Sequence, residues 1–121
     1  MSTARKFTVL CVDDDKTALH VRKLVLESAG YTVLAAEDAE TALQLFLSSD
    51  IDVVLSDYLL GRGTLGAQLA AEMKRLRPNV PVVILSGVAE LPQGKEHTDL
   101  FFTKPESPVQ LLQTLSTLLG G

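Results

Sequence analysis

Five short apolar runs, set apart by stretches with helical spacing, constrain this chain more than any other feature of its sequence. They are Phe7–Val12, Tyr31–Ala36, Asp52–Asp57, Val82–Leu85 and Leu100–Thr103. A run such as Val53-Val54-Leu55 has no polar alternation and is rich in β-branched residues, so it reads as a strand buried on both faces. Strands of that kind need helices above and below them, and strand–helix alternation supplies these in a parallel, doubly wound α/β sheet. The intervening segments carry helix signals. Asp15 can cap a helix over about 16–28, which Gly30 stops, and Asp38 can cap one over 39–49. A third helix, over about 67–76, ends before Pro78. Ser107 caps the last one, with Pro108 at its first position. The apolar faces are read as Ala18, Val21, Val25 and Ala29; as Ala42, Leu43, Phe46 and Leu47; and as Val109, Leu111, Leu112, Leu115, Leu118 and Leu119. From Val88 to Asp99 the pattern is weak, and Pro92 and Gly94 interrupt it, so a helix there is expected to be short or degenerate.

The strand ends carry the chemistry. Asp57 follows the third apolar run, Asp13-Asp14 the first, Ser86 the fourth and Lys104 the fifth. In open parallel sheets ligands bind beyond the carboxyl ends of the strands, so these side chains are expected to meet there. The second strand ends in no such group, as suits a strand at the edge. Carboxylates gathered without basic partners repel one another, and a divalent cation relieves that. An all-oxygen site with water positions suits Mg²⁺ better than a soft metal. Lys104 adds a point charge and Ser86 a hydroxyl. Together they make a site for phosphoryl transfer to the Asp57 carboxylate, giving an acyl phosphate. Singly, each residue has a plainer role as a helix cap, turn serine or surface lysine. Complementary groups at four strand ends weigh against that. His20 and His97 stand alone, without a second ligand at metal spacing, and Cys11 reads as a small core residue.

With 121 residues, 46% of them apolar, the chain is expected to form one domain spanning 1–121, burying about two-thirds of its unfolded surface. The formal net charge is −4 and the eleven basic residues are scattered, which disfavours direct nucleic-acid binding. The single cysteine allows no disulfide within the chain and suits a reducing compartment. The start lacks a signal-peptide core, and no run approaches the ~20 apolar residues of a membrane span. A soluble cytoplasmic protein is expected.

The ordered set Asp13-Asp14, Asp57 after Val53-Val54-Leu55-Ser56, Ser86 after Val83-Ile84-Leu85, and Lys104-Pro105 resembles the receiver domain of bacterial two-component response regulators, the CheY-like superfamily. The resemblance covers essentially the whole chain. It implies a flavodoxin-like sheet of order 2-1-3-4-5 and a phosphorelay switch rather than a turnover enzyme. It makes Asp57 the phosphoacceptor. Asp14, Asp57 and the Leu59 backbone carbonyl become direct Mg²⁺ ligands, with Asp13 acting through water. Ser86 becomes the switch hydroxyl, Lys104 the phosphate-binding lysine and Phe101 the switch aromatic. Leu59 and Val88 are expected to border the path of a hydrolysing water. The implied partners are a histidine kinase or phosphotransfer protein and a downstream protein, with the chain a monomer or weak homodimer. Output is expected through a changed protein-binding surface, since no effector domain is present. This sequence departs from the family in placing Leu60-Gly61 where Met-Pro is usual, in a longer loop to Gly66, and in a shorter segment from Ser86 to Lys104. The alternative is a degenerate receiver that binds proteins without phosphate. An Asp-nucleophile phosphatase is disfavoured because Leu59 stands where a second Asp is wanted. A flavin domain is disfavoured because Asp13-Asp14-Asp15 would repel a phosphate.

Overall fold

A computed structural model describes residues 6–60, 65–86, 100–103 (as backbone) and 107–120. The elements run β1 (Thr8–Val12), α1 (Lys16–Ser28), β2 (Thr32–Ala36), α2 (Ala39–Ser48), β3 (Val53–Asp57), α3 (Gly66–Leu76), β4 (Val82–Ser86), β5 (Leu100–Thr103) and α4 (Pro108–Leu118). Each falls within a residue or so of its expected span. The weak stretch of 88–99, with any helix there, lies outside the described residues, as do Lys104 and His97.

The strands β2-β1-β3-β4 lie side by side and parallel, with β2 at the edge as its apolar end suggested. β5 pairs in parallel on the far side of β4. Alternate side chains leave opposite faces of the sheet. Val9 and Cys11 of β1, Val53 and Leu55 of β3 and Val83 of β4 pack with Leu19 and Leu26 of α1 and Leu111 and Leu115 of α4. Leu10, Val12, Val54, Val82 and Ile84 pack with Ala42 and Phe46 of α2 and Ala67, Ala70 and Met73 of α3. Among the described residues, two helices therefore cover each face, which is why the central strands carry almost no polar residue.

The expected caps form. The Asp15 carboxylate accepts from the backbone N–H of Thr17 and Ala18, and that of Asp38 from Thr41. The Ser107 hydroxyl accepts from Gln110 N–H, with Pro108 opening α4. Gly30, at φ 98°, takes the left-handed turn after α1 that a Cβ would disfavour. Three helix faces differ from expectation. In α1 the buried positions are Leu19, Arg22 and Leu26, while Val21 and Ala29 face solvent. Leu47 of α2 and Val109 of α4 are also exposed.

Arg77, at the end of α3, closes α2. Its guanidinium donates to the backbone carbonyls of Phe46, Ser49 (2.9 Å) and Leu47 (3.2 Å), and it lies 5.1 Å from the Phe46 ring centroid. These are carbonyls that a helix leaves unsatisfied at its C-terminus, where positive charge is also favoured. Charge-assisted hydrogen bonds are worth about 1.5–3 kcal/mol each, less where water competes. Arg77→Leu is therefore expected to lower stability by about 2–3 kcal/mol in all. Urea unfolding should show a lower midpoint at unchanged slope.

Candidate functional site

The carboxyl ends of β1 and β3 lie together because Val12 is in register with Ser56. One residue further on each strand, Asp13 and Asp57 leave the sheet at the same edge. Asp13, Asp14 and Asp57 each offer a carboxylate oxygen, and these atoms lie within 4.8 Å of one another. Their surroundings differ: Asp13 is fully buried, Asp57 half-buried and Asp14 exposed. The site therefore opens toward solvent on the Asp14 side and is closed behind Asp13.

The triplet Asp13-Asp14-Asp15 divides its work. Asp13 extends the β1 ladder by donating its N–H to the Ala36 carbonyl (3.1 Å). Its Oδ1 accepts from Asp15 N–H (2.9 Å) and its Oδ2 from Arg22 Nη1 (3.2 Å). Asp15 spends its own carboxylate on the α1 cap. That leaves Asp14 as the exposed acid of the three facing Asp57. The expectation of a cluster without basic partners is thus corrected. Arg22 is 5% exposed and forms a buried ion pair with Asp13. The sequence held one signal of it: position 22 falls three after Leu19 and four before Leu26, on the buried stripe of α1.

Asp57 is held from below and from the side. Tyr58 N–H donates both to the Leu85 carbonyl (2.8 Å) and to Asp57 Oδ1 (3.0 Å). The Ser56 hydroxyl donates to the Asp57 carbonyl (3.0 Å). Gly66, the first residue of α3, donates its N–H to the Tyr58 carbonyl. A Cβ on Gly66 would sit 2.2 Å from the Asp57 carbonyl oxygen, so this glycine lets α3 begin directly against the strand end. Tyr58 and Leu60 turn inward and are buried, whereas Leu59 is 61% exposed and its backbone bridges to Leu65. Gly66 was expected only as the end of a longer loop. Its close approach depends on how α3 packs, which local pattern does not reveal.

Ser86 ends β4 and is buried; it lies one residue past Leu85, the partner of Asp57, and is in register with Thr103 of β5. Phe101 lies within β5, in register with Ile84; its side chain is outside the described residues. Val88 and Lys104 are outside them as well. The donors of the acidic cluster are all oxygens, with one acid exposed and one half-exposed. That set fits a hard divalent cation that keeps several waters, and it does not fit a soft metal.

The family model described as the response regulator receiver domain matches residues 9–116. The chain is 35% identical over 118 residues to the phosphate regulon transcriptional regulatory protein PhoB of Pseudomonas aeruginosa, covering 93% of this chain and 51% of that protein. It is 33% identical over 115 residues to the transcriptional regulatory protein GlrR of Escherichia coli, covering 92% of this chain and 26% of that one. The chain thus spans about half of the length of the first of these curated relatives and about a quarter of the second. Among solved structures, a response regulator receiver domain from Methanospirillum hungatei superposes with a TM-score of 0.88 at 27% identity, over 96% of this chain and 95% of that one.

Proposed function

The chain belongs to the response regulator receiver domain family, and from that premise we propose that Asp57 accepts a phosphoryl group, in a Mg²⁺-dependent reaction, from a histidine kinase or phosphotransfer protein. The observation that carries the proposal is the meeting of Asp13, Asp14 and Asp57 within 4.8 Å at the sheet edge. An Asp57 carboxylate oxygen attacks the phosphorus of a phosphohistidine. The P–N bond breaks, its electron pair leaves with the imidazole, and the acyl phosphate remains on Asp57. Tyr58 N–H holds Oδ1 and so fixes the plane of the nucleophile. Burial of Asp13 behind it closes the rear of the site.

Asp14, Asp57 and the Leu59 carbonyl would hold Mg²⁺ directly. Both Asp13 oxygens already accept from the protein, so Asp13 would reach the ion through water, using remaining lone pairs. The bound ion would supply neutralisation of charge on the transferring oxygens. Ser86 and Lys104 bind the phosphate from the β4 and β5 side. The resulting shift of Ser86 and Phe101 changes a protein-binding surface, a two-state element biased by phosphate contacts. Incubation with acetyl phosphate and Mg²⁺, followed by intact mass measurement, tests the reading. One phosphoryl adduct is expected, and none when excess EDTA is present throughout the incubation. An unmodified chain in the presence of Mg²⁺ would contradict it.

The acyl phosphate should persist. Leu59 follows Asp57 by two residues and Val88 follows Ser86 by two, and neither side chain can orient a water. Polar assistance to such a step is worth about 10²–10⁴-fold where geometry is ideal. The double variant Leu59→Asn with Val88→Glu is expected to lose phosphate roughly three- to tenfold faster than the parent, a small part of that range. Equal decay rates in Mg²⁺ would remove both residues from the hydrolysis path.

A further inference from the structure

The geometry points to Arg22 as a resident counter-ion of the acidic cluster, one that fixes Asp13 and weakens the site's grip on a divalent cation. This inference rests on the reading of Asp13, Asp14 and Asp57 as a Mg²⁺ site. Arg22 reaches the cluster from α1, outside the strand ends that build it. Its guanidinium is 5% exposed and contacts Asp13 Oδ2 at 3.2 Å, while Asp13 is fully buried. Three formal negative charges within 4.8 Å are thereby reduced to a net of two by a cation that cannot deprotonate.

Two consequences follow. Without metal, Arg22 holds Asp13 in place, so the site is set before any ion arrives. With metal, a divalent ion meets a fixed positive charge just behind Asp13. A unit charge several ångströms from a divalent ion changes its affinity by about tenfold even with water-like screening, and by more in a partly buried site. The Mg²⁺ affinity is therefore set in part by a residue that does not ligate the ion.

A purely structural ion pair makes a different prediction. Breaking it would lower stability, since an uncompensated buried charge is costly, but would leave the Mg²⁺ dissociation constant where it was. The test is calorimetric titration of Mg²⁺ into the parent, Arg22→Met and Arg22→Lys at fixed ionic strength. Arg22→Met is expected to lower the Kd by about tenfold or more, and to show a larger Mg²⁺-induced rise in Tm than the parent. Arg22→Lys keeps the charge and should bind close to the parent. Should Arg22→Met fail to fold, Arg22→Gln keeps a donor to Asp13 while removing the charge and reads the same quantity. Equal Kd values in the parent and the neutral variant would overturn the role of Arg22. A shifted Kd with no phosphoryl uptake would leave that role standing and refute the phosphoacceptor reading instead.

Discussion

Asp57→Asn is expected to take up no phosphoryl group from acetyl phosphate while melting at, or slightly above, the temperature of the parent. The substitution is nearly isosteric. A side-chain amide can still accept from Tyr58 N–H, the bond that holds Oδ1 at 3.0 Å. What it loses is the anionic nucleophile, and neither of the other two acids of the cluster is placed to stand in for it. Asp13 is buried with both oxygens engaged, and Asp14 follows a different strand, β1, whereas the Tyr58 N–H that orients the acceptor bonds to Asp57. The amide also removes one charge from a cluster of like charges within 4.8 Å. At this half-exposed position the relief is on the order of 1 kcal/mol, reduced by salt. Loss of label together with a retained or raised Tm separates a chemical role from a folding role. A variant labelled as fully as the parent would mean that the acceptor lies elsewhere.

Gly66→Ala is expected to weaken both the fold and the site. The added methyl would meet the Asp57 carbonyl oxygen at 2.2 Å, its carbon at 3.1 Å and Ser56 Oγ at 3.2 Å. Two of these three atoms are strand backbone, so the contact cannot be relieved by a side-chain rotation. Either α3 slides or the end of β3 moves. Overpacking of this kind costs typically about 1–3 kcal/mol. Alanine's helix preference, worth about 1 kcal/mol in a helix interior, gives little back at the first residue of a helix. For a domain of this size the expected fall in Tm is roughly 3–10 °C. Because the atom displaced is the Asp57 backbone, phosphoryl uptake should slow by more than the lost stability explains when both proteins are fully folded. Thermal melts together with labelling at 15 °C check this. A variant as stable and as quickly labelled as the parent would show that the start of α3 yields freely.

Much of the sheet was legible in the sequence because it depends on local signals. Buried parallel strands are unbroken apolar runs, and Asp15, Asp38, Ser107 and Gly30 announce helix ends by chemistry that acts within a few residues. The meeting of Asp13, Asp14 and Asp57 was also legible, because parallel strands bring their carboxyl ends to one edge. The face of α1 was not. Ala18, Val21, Val25 and Ala29 keep helical spacing as well as Leu19 and Leu26 do, and a charge at position 22 masks the true stripe. Only the depth of Asp13, which needs a buried cation, decides between them. Leu47 and Val109 are exposed at or near helix ends, where the apolar stripe runs past the edge of the core. Gly66 could not be read because its constraint is set by contact between α3 and β3.

In the proposed reaction the phosphoryl group is carried as an acyl phosphate on Asp57. Borohydride reduction of the labelled parent tests it most directly, since an aspartyl phosphate is converted to homoserine with release of phosphate. Peptide mapping by mass spectrometry is then expected to find homoserine at position 57 alone. Phosphate that survives reduction on a serine, threonine or histidine, or homoserine at position 13 or 14 in place of 57, would contradict the account.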